Sequence, residues 1–217
     1  LLFDGSMGTY FAEKYRDYAG ACETANLRDP EKVKAIHREY IEAGCRALKT
    51  NTFAANIFSC GGEEKLLSDT IASGVRLACE AAAETEHPRT AGQDAAARDP
   101  VFVFADIGPI TGRKDEEIER AYLQLADLFL EYGIGNFLFE TNAAADHLIR
   151  TAEYIKEKRP DSFIIVSFAV QPDGYTREGM YCKDLARRMQ ESGIVDAVGL
   201  NCVSAPGAMR TLAKQLG

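Results

Sequence analysis

Apolar residues recur along the chain in two alternating rhythms. Val33, Ile36, His37, Tyr40 and Ile41 stand three and four apart, the spacing that lines one face of a helix. Asp29-Pro30 comes before them and Gly44 after, which supplies a cap, a first-turn proline and a stop. Leu67, Ile71, Val75 and Ala78 repeat the rhythm and predict a helix over 63–83. Further helices are predicted over 115–132, 146–158, 183–191 and 209–215. Between them lie short runs that are apolar throughout: "LLFDG", "RALKTN", "VFVFADIG", "NFLFETN", "SFIIVSFAV" and "DAVGLNC". The segment "TEHPRTAGQDAAARDP" has low hydrophobicity and reads as an exposed connection.

Strands alternating with helices imply parallel βαβ units. Strands apolar on both faces fit helices on one side and a barrel interior on the other. "EAGCRALKTN", "EYGIGNFLFETN" and "ESGIVDAVGLNC" echo one another as helix end, glycine, apolar strand and polar ending. The fold class is therefore α/β, a (β/α)8 TIM barrel. Its eight units typically need about 250 residues, and six strands in 217 residues make residues 1–217 one barrel domain, C-terminally incomplete. The first residue, Leu1, already lies in a strand-like run, so the natural chain is expected to extend before it. A doubly wound sheet is the structural alternative, but no Gly-x-Gly-x-x-Gly loop follows any strand.

Composition narrows the partners. A net charge of −8, with no stretch that concentrates Lys and Arg, excludes a nucleic-acid surface. No apolar run reaches membrane-spanning length, and there is no signal peptide. Six scattered cysteines without a Cys-x-x-Cys pair point to a reducing cytoplasm. Free cysteines are ordinarily small buried hydrophobes, and only Cys202 stands where a strand ends on polar residues.

Parallel barrels bring the carboxyl ends of their strands to one rim, where chemistry collects. Here that rim carries Asp4 and Gly5, Thr50 and Asn51, Asp106, Glu140 with Thr141 and Asn142, and Asn201 with Cys202. Carboxylates suit an ammonium group, the glycines of "DGSMG" leave N–H groups open to a small anion, and a thiolate suits a metal or nucleophilic chemistry. The set fits an amino acid as ligand. Each piece also has an ordinary reading. "DG" forms turns, a strand-ending Asn partners its own backbone, and Glu140 could be a structural carboxylate. His37 and His147 fall on helices as packing or surface residues, and His87 has no assigned role.

The motifs "DGSMGT" at 4–9, "CETANLRDPEKVKAIHREYIEAG" at 22–44, "KTNTFAAN" at 49–56, "ADIGP" at 105–109, "FLFETN" at 137–142 and "VGLNC" at 198–202 resemble the homocysteine S-methyltransferase family. "TNTF" looks most like the homocysteine-binding barrel of cobalamin-dependent methionine synthases. The resemblance implies zinc-dependent transfer of a methyl group to L-homocysteine, giving methionine. It implies three zinc-binding cysteines, of which Cys202 matches the first. Two adjacent cysteines are then expected beyond Gly217, since no Cys-Cys pair occurs here. Asp4 and Glu140 match the carboxylates that receive the substrate amino group, and Gly5 with Ser6 matches the cradle for its carboxylate. Asn201 matches the amide beside the zinc ligand, and Asn51 lies in a matching motif. The methyl donor, methylcobalamin or methyltetrahydrofolate, would bind a corrinoid or folate domain of the same polypeptide or of a partner chain. Residues 1–217 alone are expected to be inactive. Rival readings keep the barrel with S-methylmethionine or another sulfonium as donor, or make it a non-catalytic amino-acid-binding fragment. A barrel lyase would need a strand-end lysine, for which Lys49 is the nearest candidate.

Overall fold

The computed structural model describes residues 1–86 and 100–216. Most of the connection predicted over 85–100, with His87, lies outside the described residues. The chain divides into two compact units, Leu1–Ala105 and Asp106–Gly217.

The first unit holds helix α1 (Met7–Lys14), a 3-10 turn (Cys22–Thr24), α2 (Ala25–Arg28), α3 (Pro30–Glu42), strand β1 (Ala47–Lys49), α4 (Glu64–Glu86) and the start of β2 (Phe102–Ile107). β1 and β2 are parallel, with Leu48 opposite Val103. The expected first strand, "LLFDG", is reduced to one parallel bridge, Phe3 to Ala47. Asp4 N–H donates to the Ala47 carbonyl at 2.9 Å. The ladder stops because Ser6 already caps α1, its hydroxyl accepting from Thr9 N. The sequence reading passed over α1, whose signal is a serine cap with Met7 and Phe11 four apart on its buried face.

Pro30 opens α3 as predicted, but Asp29 makes no side-chain cap. Its carboxylate instead lies 3.3 Å from Lys32 Nζ. Gly44 ends the helix at φ +104°, a backbone that side chains resist. Val33 and Ile36 are wholly buried, as are Leu67 and Ile71 of α4. Each is worth about 1.5–3 kcal/mol of burial. Lys34 bridges to Glu80 and Glu84, and Arg38 forks onto Glu84 at 2.6 and 2.8 Å. Surface pairs of this kind contribute at most about 1 kcal/mol each, so apolar burial dominates the contact between α3 and α4. His37 joins this interior with no exposed surface, and neither ring nitrogen has a hydrogen-bond partner. The packing role read from the sequence holds.

Asn26 ties the unit together. Its Nδ2 donates to the carbonyls of Asn51 (2.8 Å) and Thr70 (3.2 Å), and its Oδ1 accepts from Asn51 Nδ2 at 2.9 Å. Its carbonyl accepts from Ser73 Oγ at 2.6 Å. This approach is possible because α4 carries Gly74. A Cβ there would lie 2.8 Å from Thr52 Cγ2 and 2.9 Å from Asn26 Nδ2.

The second unit holds the end of β2, then α5 (Asp115–Glu131), β3 (Asn136–Asn142), α6 (Asp146–Lys158), β4 (Phe163–Ala169), α7 (Cys182–Ser192), β5 (Ala197–Asn201) and α8 (Pro206–Leu216). β3 pairs with β4 and β4 with β5, all parallel. Phe129, Phe137, Phe139 and Phe168 are fully buried and form the bulk of its interior. The register of β3 against β4 slips by one residue between Phe139 and Asn142. No helix among the described residues is long and apolar enough to cross a membrane.

Two predictions follow from this packing. Burial lowers the pKa of His37 to about 4, whereas an unfolded histidine titrates near 6.5. The unfolded chain therefore takes up a proton that the folded chain refuses, and stability falls as pH drops from 6.5 toward 4. Between pH 6.5 and 5 the loss should be about 1.5 kcal/mol. Urea midpoints in that window should flatten for His37→Leu, and an unchanged slope would show that His37 does not titrate this way. Gly74→Ala should favour the helix by about 1 kcal/mol on propensity alone, but overpacking against Asn26 and Thr52 should reverse the sign, for a net loss of about 2 kcal/mol. A raised urea midpoint would show that the contact yields.

Candidate functional site

In the first unit the Asp4 side chain is wholly buried, and its Oδ1 lies 3.8 Å from Lys49 Nζ. Its Oδ2 accepts the Lys49 backbone N–H at 3.0 Å. Lys49 is thus the partner of Asp4, and a substrate ammonium at this carboxylate would share it with the lysine. Gly5 sits against Tyr40, and a Cβ on it would meet the phenol oxygen at 2.8 Å. That phenol donates to the Ser6 carbonyl at 3.2 Å. The backbone at Gly5–Ser6 is so fixed where α1 begins, and the first-turn N–H groups of a helix suit an anion such as a carboxylate.

Asn51 is 2 % exposed. Both hydrogens of its amide are spent on the protein, on the Cys22 carbonyl at 2.7 Å and on Asn26 Oδ1. Its geometry is that of a brace for the segment 22–26, and a ligand would not find its N–H groups available. Glu23 was not singled out in the sequence, yet it is buried and accepts from Ala54 N at 2.9 Å. It pins the loop after β1. Nothing in "CETANLRD" signals that its glutamate would be inside.

In the second unit the register slip falls on Glu140 and Thr141. Phe139 lies opposite Val166 and Asn142 opposite Phe168, so two residues of β3 face one of β4, a β-bulge. Thr141 adopts φ +65°, and Cys202, directly after β5, adopts φ +63°. Such backbone costs of the order of 1–3 kcal/mol for a residue with a side chain, most of all for a β-branched one. The Asn201 amide compensates. Its Oδ1 accepts from Thr141 N at 3.0 Å and from Ser167 Oγ at 2.8 Å, and its Nδ2 donates to Thr141 Oγ1 at 2.8 Å. At about 1 kcal/mol net per bond, these offset a strain of that size. Asn201 Oδ1 is then filled, which leaves one N–H of the amide for any ligand. Ser167 was invisible in the sequence because a serine inside an apolar strand reads as filler.

Glu140 is half-buried and Cys202 exposed. Asp106 is buried at the end of β2. Of the other thiols, Cys45 and Cys182 are buried, in keeping with the hydrophobe reading, while Cys79 is exposed and Cys22 and Cys60 are partly so. His147 lies on α6 with Nε2 3.5 Å from Asp115. Loops after β2 and β3 enclose a cavity of about 360 Å³ lined by Ile110, Tyr122, Asn142, His147 and Arg177. Burial pushes the Tyr122 phenol up to about 12, so it stays protonated and can donate to Asn142 Oδ1 at 3.3 Å.

Zinc needs three or four protein ligands. Among the described residues no group of three His, Cys, Asp or Glu side chains is placed to hold a metal ion. Among the described residues Cys202 is therefore a single candidate donor.

Comparison with known proteins agrees with the resemblance read from the motifs. The chain is 26% identical to methionine synthase of Mycobacterium tuberculosis across 96% of its own length, but it spans only 18% of that protein. Methionine synthase of Mycobacterium leprae matches equally, at 26% and the same coverage. Betaine--homocysteine S-methyltransferase 1 of Danio rerio is 24% identical over 91% of this chain and 48% of its own. The crystal structure of the homocysteine methyltransferase MmuM from Escherichia coli, in its metallated form, superimposes with a TM-score of 0.81 at 19% identity, covering 100% of this chain and 78% of that one. That likeness establishes a shared TIM-barrel-like α/β fold of parallel strands alternating with helices, the class anticipated from the hydrophobic pattern. The model of the family described as homocysteine S-methyltransferase matches residues 1–217 from end to end, and the chain belongs to that family.

Proposed function

We propose that this chain is the homocysteine-binding barrel of an enzyme that transfers a methyl group to the thiol of L-homocysteine, giving methionine, and that it does so in the cytoplasm. The observation that carries the reading is the bulge at Glu140–Thr141, tied by Asn201 to the turn that bears Cys202. Glu140 stands in that bulge and Cys202 in that turn, a carboxylate suited to an ammonium and a thiolate suited to a metal ion. Glu140 receives the substrate ammonium, with Asp4 assisting while it remains paired to Lys49. The N–H groups around Gly5 and Ser6 receive its carboxylate. Asn51 and Asn201 support these contacts by bracing the segments that make them. Anchoring the substrate by its amino acid group reduces a collision to an oriented attack of sulfur on a methyl carbon. The thiol proton is lost to solvent, a new S–C bond forms, and the bond from methyl to donor breaks with its electron pair left on the donor.

Cys202 is proposed as one of three zinc-binding thiolates, with the adjacent pair supplied from beyond Gly217. A methylcobalamin or methyltetrahydrofolate donor, carried on another domain or a partner chain, is the first reading because the chain is similar to methionine synthases over nearly its whole length. A donor of the betaine or sulfonium type is the second, favoured by the likeness to the Danio rerio protein.

Glu140→Gln, in the protein as the cell makes it, should weaken L-homocysteine binding by about 10- to 100-fold, the loss expected when a charged hydrogen bond of about 1.5–3 kcal/mol is removed. Titration calorimetry measures it, and a folded but less stable variant that binds with unchanged affinity would make Glu140 structural. Metal analysis after dialysis tests the thiol. Residues 1–217 alone should retain no stoichiometric zinc and transfer no methyl group, while the natural protein should hold one zinc that Cys202→Ala removes. Retention of zinc by the Cys202→Ala protein would end the ligand assignment.

A further inference from the structure

The bulge in β3 changes which way the strand faces. Phe137 and Phe139 point into the interior, with Phe139 edge-on to Tyr122 of α5 at 6.2 Å. In a regular strand Asn142, three residues on, would point to the opposite side. It does not, because its Oδ1 meets the same Tyr122. One extra residue has been absorbed between the two, and Thr141 absorbs it by turning left-handed. A glycine would take that backbone at no steric cost. Threonine stands there instead, and its hydroxyl accepts from Asn201 Nδ2 while its N–H donates to Asn201 Oδ1.

We propose that Thr141 is a positioning residue, clamped by Asn201 and Ser167 in a strained backbone so that the Glu140 carboxylate and the Cys202 thiol are held in register with each other. Three strands meet at the one amide: β3 through Thr141, β4 through Ser167 and β5 through Asn201 itself. Glu140 precedes the left-handed residue of β3, and Cys202 is the left-handed residue that follows β5. Whatever loosens the clamp moves both functional groups, and Thr141 acts through them. The inference rests on the reading of Glu140 as the ammonium acceptor.

The test uses L-homocysteine binding to the natural protein. Thr141→Val keeps the branched shape and the N–H but removes the acceptor, and should weaken binding about tenfold, whereas Thr141→Ser should stay within about threefold of the parent. Ser167→Ala should fall between them and serves if Thr141→Val does not fold. A structural role alone would lower the melting temperature in every background. Positioning through Glu140 makes a sharper demand: in a Glu140→Gln background, Thr141→Val should cost less than about twofold more. An equal cost in both backgrounds overturns the proposal. So does an unchanged affinity for Thr141→Val when Glu140→Gln alone weakens binding, and the functional reading then survives. If Glu140→Gln changes nothing, the functional reading itself fails and the clamp falls with it.

Discussion

A side-chain amide at the end of a strand can take part in as many as four hydrogen bonds, and where water is scarce each one left unmade costs about 1–3 kcal/mol. That constraint organises both units. In the first, Asn51 and Asn26 exchange bonds and draw the carbonyls of Cys22 and Thr70 and the hydroxyl of Ser73 around them. In the second, Asn201 gathers three strand ends about one amide. The polar strand endings that attract attention in the sequence are therefore brackets first, and their contact with a ligand depends on what the brackets leave over. In the second unit the candidates that flank the bracket are Glu140 and Cys202. In the first it is the backbone at Gly5–Ser6.

Much of the fold was legible because its helices are amphipathic and its strands are not. The helix over 146–158 was read to the residue, and those from 64, 115 and 182 to within one or two at their starts. The misreadings have local causes. "LLFDG" is apolar enough for a strand, but the helix cap at Ser6, two residues after Asp4, leaves no length to pair. Asp29 stands where a cap belongs, yet its carboxylate goes to Lys32. Periodicity counts side chains and says nothing about competing partners for them.

The site was legible as a set of residue types and not as a geometry. The resemblance picked out Asp4, Glu140, Asn201 and Cys202, whereas nothing in the sequence announced that Thr141 and Cys202 would be left-handed. Lys49 had been weighed as a reactive amine and turned out to be the buried partner of Asp4. Ser167, Glu23 and Asn26 were silent because their importance lies in which atoms they reach, a property of the folded chain. The motifs that carry the family resemblance are short, and the residues that brace them sit one strand or one helix away.

The contact between Gly5 and Tyr40 reaches beyond the single molecule. A side chain at position 5 would collide with the phenol oxygen, and that same oxygen holds the Ser6 carbonyl. Neither residue can change first without loss, unless Tyr40 gives up its hydroxyl before position 5 gains a carbon. Two positions 35 residues apart in the chain are therefore coupled, so that a change at one alters what the other can hold.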